Sequence, residues 1–473
     1  MSATLSLHPD RLLPINSTTR DIARRLYKET LTLPIISPHG HTDPRWFAYN
    51  HNFSNPTELL IKPDHYIFRM LYSQGIGLER LGIVPQDGDA IATSAEEIWS
   101  LFAENYHLFR GTPSRIWLDY VFSTLFDIEV QLSKDTAAHY YETISNKLAL
   151  DSFRPRALFE KFNIELLATT ESPVDTLSHH RAIANSGWAG NVITTFRPDS
   201  TVDPEFDGFS SNITLLGELT GEDVSNFSGY IRALRKRREF FKAHGATSTD
   251  HGHPSAFTAD LPDSQKERLY QEARAGTISA VDSELFRGQM LTEMAAMSID
   301  DGLVMQIHPG AYRNHNQALH QKFGRDKGAD VPVATEYVNN LRPLLNKYGN
   351  NPRLQLILFT LDESTYSREL APLAGHYPCL KLGPAWWFHD SPEGMRRYRQ
   401  QITETAGFYN TVGFNDDTRA FMSIPARHDV ARRMDCGFLA ELVADHRLTE
   451  DEAHELVLDL SYNLVKSAYK LAT

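Results

Sequence analysis

The sequence predicts an α/β fold, namely a distorted (β/α)8 TIM barrel with a large, mostly helical insertion after its first strand. Three observations support this prediction. The length of 473 residues suits a barrel of about 250 residues that carries large insertions. Eight short apolar runs recur along the chain, and segments with helical periodicity separate them. The first two runs lie about 125 residues apart, much farther than one crossover helix requires.

Continuous apolar runs are typical of parallel strands that are buried on both faces. In chain order the eight runs are Leu33–Ser37, Ile164–Thr170, Asn191–Thr195, the weaker Ala243–Ser248, Leu303–His308, Leu354–Thr360, Cys379–Leu382 and Thr411–Asn415. Their alternation with helical segments indicates βαβ units, and eight such units close into a barrel. We therefore assign residues 1–44 to an N-terminal segment with strand 1, residues 45–160 to the helical insertion, and residues 161–473 to the remaining barrel and the C-terminal helices.

Capping boxes indicate two of the predicted helices. Ser94 with Glu97 precedes an apolar helical pattern inside the insertion, and Thr449 with Glu452 precedes another near the C-terminus. The segment Arg115–Phe126 is dense in aromatic residues and belongs to the same insertion. A further insertion is expected from Asp250 to about residue 300.

The net charge of −13 argues against nucleic-acid binding, because such proteins need a basic surface. One basic run lies in a segment with helical periodicity, and we expect it to form a solvated helix face. This run consists of Arg232, Arg235, Lys236, Arg237 and Arg238. A negative chain repels anions at long range, so a site for an anionic ligand must be built locally from cationic side chains.

Nothing in the sequence indicates a membrane protein or a secreted protein. No apolar run approaches the roughly 18 residues that span a membrane. The N-terminus lacks the basic-then-apolar layout of a signal peptide. The two cysteines, Cys379 and Cys436, are too few for a disulfide framework and form no C-x-x-C pair. These observations predict a cytoplasmic protein with no membrane partner.

The pair His39 and His41 directly follows the first apolar run. Alternate residues of a strand point to the same side, so both imidazoles can converge on one ion at the C-terminal mouth of a barrel. Asp417 follows the eighth run, which a barrel places beside the first, and His308 ends the fifth run. Imidazoles with a carboxylate suit a divalent cation such as zinc or manganese. Structural roles remain open as alternatives, namely loop histidines, a turn aspartate and a core histidine.

A histidine pair after strand 1, a histidine after strand 5 and an aspartate after strand 8 resemble the amidohydrolase superfamily. Further segments resemble the uronate isomerases, and they share an order from about residue 30 to the end. They are Pro63–Tyr66 with Arg69, Thr169–Asp175, Thr195–Asp199, Ser248–Gly252, Gln306–His308 with Gly310, Arg313 and Asn314, and Gly383–Phe388. Thr418, where the family commonly has serine, and one extra residue within Pro425–His428 suggest a divergent branch.

The resemblance implies an aldose–ketose isomerase that converts D-glucuronate to D-fructuronate or D-galacturonate to D-tagaturonate. Such a reaction moves a proton between C2 and C1 through an enediol. It needs a group that opens the sugar ring, a proton-transfer group and stabilisation of an oxyanion. One divalent cation is implied, although turnover need not require it. The preferred epimer stays open, and so does the formation of a homo-oligomer.

Roles for individual residues follow from these segments and from side-chain chemistry. We assign catalysis to Asp417, Tyr66 and Arg419, substrate binding to Arg197, Trp386, Arg313 and His65, and metal binding to His39, His41, Asp417 and His308. Arginines offer paired donors to a carboxylate, and Trp386 offers a flat face to sugar C–H groups. A cation beside Tyr66 would lower its pKa from about 10. The alternatives are salt bridges at the barrel rim for the arginines, aromatic packing for Tyr66 and core filling for Trp386.

Two other functions are compatible with the sequence. A metal-dependent hydrolase or decarboxylase of the same superfamily would use a metal-activated water, and a panel of amides or lactones would reveal it. A catalytically silent sugar-acid-binding barrel would lack one of four groups, which are His39, His41, Asp417 and Arg419. All four are present, and the sugar-acid segments favour the isomerase over the hydrolase.

Overall fold

The computed structural model describes residues 3–88 and 93–471 and contains two sheets. The strands are β1 Ile35–Ser37, β2 Ile164–Glu171, β3 Val192–Phe196, β4 Ser248–His251, β5 Val304–Ile307, β6 Ala311–Tyr312, β7 Val331–Pro332, β8 Leu356–Leu358 and β9 Leu380–Leu382. Seven of them form one parallel sheet in the order β1-β2-β3-β4-β5-β8-β9, while β6 and β7 form a small antiparallel pair. The sequential order of the parallel strands is that of a barrel, as predicted.

Helices cover this sheet and fill the long connections. They are α1 Ser17–Thr30, α2 Pro44–Tyr49, α3 His65–Ser73, α4 Ala95–Glu104, α5 Pro113–Tyr120, α6 Ala137–Leu148, α7 Pro155–Lys161, α8 Ser178–Asn185, α9 Asp199–Val202, α10 Phe209–Thr220, α11 Phe227–Ala243, α12 Asp263–Ala275, α13 Ala280–Asp301, α14 Gln317–Phe323, α15 Arg342–Tyr348, α16 Ala371–Ala374, α17 Pro392–Ala406, α18 Ile424–Ala444, α19 Glu450–Leu458 and α20 Leu464–Ala468. Short 3₁₀ and π segments join several of them. Among the described residues, no helix is long and apolar enough to cross a bilayer.

The predicted helical insertion is present between β1 and β2, where six helices, α2 to α7, follow one another. Its own apolar core is rich in aromatic side chains, and Trp99, Phe102 and Phe122 are almost fully buried in it. The predicted capping box of Ser94 and Glu97 begins α4. The same core includes Ile35 of β1 and Ile164 and Leu167 of β2, so the insertion packs directly against the sheet.

Two predicted strands differ from the observed ones. The weak run Ala243–Ser248 was placed too early, because α11 continues to Ala243 and Gly245 then turns the chain with a φ of 93°. The strand begins only at Ser248. The eighth run, Thr411–Asn415, forms a single parallel bridge from Thr411 to Leu382 instead of a full strand. Gly413, with a φ of 75°, bends the chain away from the sheet.

Backbone hydrogen bonds on both sides of this irregular eighth segment nevertheless close the barrel. On one side Val412 donates its backbone N–H to the carbonyl of Leu382, at 3.1 Å between N and O. On the other side His41 donates its backbone N–H to the carbonyl of Thr418, at 3.0 Å. The residues after the eighth run therefore lie beside those after the first strand, which is the neighbourhood that a closed barrel predicts.

The basic run was predicted to be solvated, and this is wrong for two of its members. Arg237 and Arg238 are buried, whereas Arg232 and Arg235 are half exposed. Arg238 donates to Asp301 at 2.6 Å, and Arg237 donates to the carbonyl of Pro173 at 2.6 Å. The buried arginines tie α11 to its neighbours, because a buried guanidinium needs a hydrogen-bond acceptor for its donors.

A buried carboxyl group at the end of β2 makes the stability of the fold depend on pH. Burial raises the pKa of Glu171 to about 8 from 4.5, although the hydroxyls of Thr169 and Thr194 hydrogen-bond to it. Between these values the folded chain holds a proton that the unfolded chain releases, so stability is lost as pH rises through this range. Glu171→Gln, which mimics the protonated acid, should therefore stabilise the fold by about 4 kcal/mol more at pH 9 than at pH 5.

Thermal or urea unfolding of both proteins at the two pH values measures this difference, and pH 5 serves as the internal control. A variant that gained nothing between pH 5 and pH 9 would show that Glu171 ionises normally in the fold.

Candidate active site

Three of the four predicted metal ligands, His39, His41 and Asp417, meet at the C-terminal end of the sheet. The Oδ1 atom of Asp417 lies 3.2 Å from Nε2 of His41 and 3.5 Å from Nε2 of His39. The loop that carries the histidines is fixed by β2, because the hydroxyl of Thr170 donates to the carbonyl of Gly40 at 2.8 Å. His39 is buried and His41 is partly exposed, so the cluster opens to one side. These atoms can hold one divalent cation together.

A second group of ligand atoms shares His39 with the first and consists of His39, Asp250 and His308. His308 lies at the end of the fifth run, as predicted, and its ring stacks on that of His39 at 5.0 Å between centroids. Its Nδ1 atom lies 2.7 Å from Oδ1 of Asp250, and its Nε2 atom is buried without a hydrogen-bond partner among the described residues. A buried nitrogen that has no hydrogen-bond partner and lies beside three other possible metal ligands is expected at the edge of a cation site.

Asp250 is a site residue that the sequence did not identify. It lies on β4, and its carboxylate contacts both His308 and Arg197, the latter at 3.1 Å between Oδ2 and Nη1. The misplaced fourth strand concealed it, because a strand that ended at Ser248 would have left Asp250 in a loop. An aspartate at the C-terminal end of a barrel strand is the feature that could have revealed it.

Neighbouring groups keep the two carboxylates of the cluster ionised. Burial alone would raise the pKa of Asp417, but His39 and His41 outweigh it and hold this pKa well below its usual range. Burial likewise opposes the ionisation of Asp250, and Arg197 and His39 hold its pKa far below normal. Burial lowers the pKa of His39 to about 4, so its imidazole is neutral at neutral pH. Neutral imidazoles with ionised carboxylates are the forms that bind a metal.

Asp417 is held from several sides. Trp386 donates its indole N–H to Oδ2 of Asp417 at 2.6 Å, and the backbone N–H of Asp417 is donated to the side chain of Asn415 at 2.9 Å. Its backbone has a φ of 37°, which is unusual for any residue but glycine. The contact of Trp386 with a sugar stays a prediction, and in the structure its indole holds the carboxylate of Asp417.

One cavity of about 380 Å³ brings the predicted site residues together. Such a volume lies within the range of small-molecule pockets, which is about 300–1,000 Å³. All ten of the predicted site residues line it, namely His39, His41, His65, Tyr66, Arg197, His308, Arg313, Trp386, Asp417 and Arg419. Two further arginines, Arg325 and Arg427, also line this cavity and were not predicted. Seven aspartates line the same cavity, so an anionic ligand needs arginine donors that the chain itself does not already engage.

The arginines differ in how strongly the chain itself engages them. Arg197 is tied to Asp199 at 2.8 Å and to Asp250, and Arg313 is tied to Asp330 at 2.8 Å. The guanidinium of Arg419 lies 3.4 Å from Asp326 and makes no hydrogen bond within residues 3–88 and 93–471. Its side chain is 40% exposed, so its donors are the most available to a ligand among these three.

Tyr66 lies in the cavity, but its electrostatic environment differs from the expected one. Its hydroxyl donates to the carbonyl of Trp387 at 3.1 Å. Burial raises the pKa of Tyr66 far above its usual value, although the guanidinium of Arg427 favours the phenolate. The prediction of a lowered pKa was therefore wrong, because the sequence did not reveal that burial of the ring outweighs the neighbouring cation. His65 beside it is partly buried, and burial lowers its pKa to about 3.

Comparisons with known proteins agree with these features. The family model of glucuronate isomerase matches residues 16–469. The uronate isomerase of Rhizorhabdus wittichii is 64% identical over 471 residues, which cover 99% of this chain and 100% of that protein. The crystal structure of glucuronate isomerase from Caulobacter crescentus has 59% identity and a TM-score of 0.98, and the match covers 99% of this chain and 98% of that one.

The crystal structure of a uronate isomerase from Thermotoga maritima is more distant in sequence, at 27% identity, yet has a TM-score of 0.91. That match covers 98% of this chain and 99% of the other. The resemblance seen in the sequence segments thus extends over the whole barrel and its insertion. The chain belongs to the glucuronate isomerase family.

Proposed function

We propose that this chain interconverts the aldose and ketose forms of a hexuronate, either D-glucuronate and D-fructuronate or D-galacturonate and D-tagaturonate. The observation that carries the proposal is the cavity itself. An ionised carboxylate lies against two imidazoles at one side of it, and at its wall lies Arg419, whose guanidinium makes only a 3.4 Å ion pair with Asp326 and is 40% exposed. A uronate has both a hydroxyl that needs a base and a carboxylate that needs a cation. Membership of the family supports the same reaction.

Asp417 is the group suited to open the sugar ring. Its carboxylate can accept the proton of the anomeric hydroxyl and pass it to the ring oxygen as the bond between C1 and the ring oxygen breaks, which frees the aldehyde and returns Asp417 to its ionised form. The hydrogen bond from Trp386 and the left-handed backbone fix the direction of this carboxylate. A fixed base needs no reorganisation when the substrate arrives.

Transfer of a proton from C2 to C1 follows in the open-chain sugar. We propose Tyr66 for this step because its ring lines the cavity. With a raised pKa its hydroxyl is protonated at neutral pH, so it would give its own proton to the carbonyl oxygen at C1 as it takes the proton from C2. It would then give a proton to C1 as it takes the proton of the C2 hydroxyl, which leaves the ketose and the original phenol. Arg419 and Arg313 are placed to stabilise negative charge on the enediol or on the C6 carboxylate.

His39, His41 and Asp417 would hold one divalent cation, with His308 beside them. This donor set suits zinc or manganese. When bound, such a cation would polarise a carbonyl or hydroxyl oxygen of the sugar as a Lewis acid.

Arg419→Met should raise the KM for the hexuronate about tenfold and change kcat less, because it removes charged donors to a carboxylate that is present throughout the reaction. Arg235→Met is a matched control, because both side chains are 40% exposed and both pair with a half-exposed aspartate. Steady-state kinetics of the two variants measure the difference. Equal KM values in Arg419→Met and in wild type would assign carboxylate binding to another arginine, such as Arg197.

The reaction is tested by incubating the protein with glucuronate and with galacturonate and following the ketose by NMR. Accumulation of fructuronate or tagaturonate supports the proposal, and the ratio of the two rates gives the preferred epimer. Solvent deuterium at C1 of the ketose would show that the transferred proton exchanges on the protein. No ketose from either sugar, with and without added zinc or manganese, would refute the proposal.

A further inference from the structure

A tyrosine near the C-terminus lies inside the barrel, below the cavity. Tyr469 follows α20, and its side chain is fully buried in an apolar cluster that includes Ile36, Val304 and Ile357 from three strands of the parallel sheet. A buried phenol normally has a hydrogen-bond partner for its hydroxyl. The partners of this hydroxyl lead to the site.

The hydroxyl of Tyr469 makes two hydrogen bonds. It donates to Oε1 of Gln306 at 2.8 Å and accepts from Nδ2 of Asn415 at 3.2 Å. All three side chains are buried. Burial also raises the pKa of Tyr469, so the hydroxyl stays protonated and can make both bonds at once.

Asn415 passes this contact on to Asp417. Its Oδ1 atom accepts a hydrogen bond from the backbone N–H of Asp417 at 2.9 Å, and its Nδ2 group donates a hydrogen bond to the hydroxyl of Tyr469. The orientation of the amide follows from Asp417, because a flipped group would place its NH2 donors against the backbone N–H of Asp417. Asp417 needs such support, since a φ of 37° costs energy in a residue with a side chain and persists only where the surroundings enforce it.

Gln306 provides the fixed end of the chain of contacts. It lies on β5, two residues before His308, and its amide donates to the carbonyl of Thr249 on β4 at 3.3 Å. Residues two apart on a strand share a face, so Gln306 lies directly below His308. The hydroxyl of Tyr469 therefore joins the well-ordered side of the barrel to the irregular eighth segment.

We propose that Tyr469 is a positioning residue, which sets the orientation of Asp417 through Asn415 by holding that side chain against Gln306. The irregular segment has one bridge to the sheet, and near Asp417 only the backbone bond from His41 to Thr418 ties it to a neighbouring strand, so side-chain contacts add to that bond in placing the carboxylate. The effect of Tyr469 on turnover rests on the proposed function, whereas its effect on the backbone at Asp417 does not.

Tyr469→Phe removes only the hydroxyl. It should lower kcat for the hexuronate about tenfold and change KM less than about twofold, because groups that orient catalytic residues typically contribute 10–100-fold. Amide hydrogen exchange at residues 415–418 should become faster, since the N–H of Asp417 loses a fixed acceptor. Tyr140→Phe is the matched control, because Tyr140 is equally buried and its hydroxyl donates to the carbonyl of Val130 in the insertion.

A double-mutant cycle tests the route through Asn415. If the hydroxyl acts through this side chain, Tyr469→Phe should reduce kcat no further in a background of Asn415→Ala. Losses that multiply, or a Tyr469→Phe variant with kcat and exchange like those of wild type, would overturn the proposal. Should Tyr469→Phe fail to fold, Gln306→Met removes the acceptor of the same hydroxyl and is measured instead.

The two proposals fail in different ways. A wild-type protein that makes no ketose from uronates refutes the proposed function, and hydrogen exchange then decides the role of Tyr469 alone. In that case faster exchange at residues 415–418 in Tyr469→Phe, but not in Tyr140→Phe, supports the positioning role. Equal exchange in both variants refutes it.

Discussion

Asp417→Asn should lower hexuronate turnover by at least about 100-fold, the loss typical of removing one acid–base group. The substitution keeps the shape of the side chain. Its oxygen can still accept the indole N–H of Trp386, which places the amide nitrogen where Oδ1 faced the imidazoles of His39 and His41. A base is thereby replaced by a donor at the point where the anomeric hydroxyl would lose its proton. We expect kcat to fall and the thermal unfolding midpoint to change little.

Asp435→Asn is the matched control for this substitution. The side chain of Asp435 has the same 11% exposure and also faces a cationic group, Arg399, but it lies on α18 away from the cavity. Its loss should affect stability and leave kcat nearly unchanged. Near wild-type ketose formation by folded Asp417→Asn protein would contradict the mechanism, and another group would then have to open the ring.

Replacing both His39 and His41 with alanine should abolish the binding of one divalent cation per chain. Of the group His39, His41 and Asp417 only the carboxylate would then remain, and the group of Asp250 and His308 would have lost His39. A single carboxylate holds zinc or manganese weakly. Metal analysis of the purified protein, after dialysis against zinc or manganese, measures the stoichiometry. We expect close to one ion per wild-type chain and close to none per variant chain.

The consecutive histidines His179 and His180 on α8 offer a control, because their replacement also exchanges two histidines for alanine. One of these histidines is buried and the other is partly exposed, as at His39 and His41. Alanine at both positions should leave the cation in place. Unchanged metal content in the His39 and His41 variant would refute the site, whereas loss of the cation without loss of turnover would show that the reaction proceeds on acid–base groups alone.

The sequence predicted the centre of the site because that part depends on strand order. Side chains that follow parallel strands gather at one end of a barrel, so His39, His41, His308 and Asp417 could be brought together without coordinates. In the sequence seven of the eight runs were clear, and the fourth was weak. The predicted strand positions were wrong for two runs, namely the fourth, where Gly245 delays the start of β4, and the eighth, which Gly413 bends away from the sheet.

Other parts of the site depend on contacts that a sequence does not display. The arginines of the cavity pair with three aspartates that lie outside the strands of the sheet, namely Asp199, Asp326 and Asp330. The periodicity of the sequence does not show which aspartate lies beside which arginine. The pKa of Tyr66 was predicted with the wrong sign, because a nearby cation and burial act in opposite directions and only the structure shows which is larger. The site was thus predictable in its composition but not in its pairings.

The irregular eighth segment gives the barrel a seam, and the candidate active site lies across it. His39 and His41 belong to one edge of this seam and Asp417 to the other, while the backbone bond from His41 to Thr418 joins the edges directly. Any ligand that His39, His41 and Asp417 bind jointly would link the residues after β1 to those after the eighth run. Part of its binding free energy would then appear as resistance of the whole fold to unfolding, so the occupied protein should melt at a higher temperature than the empty one.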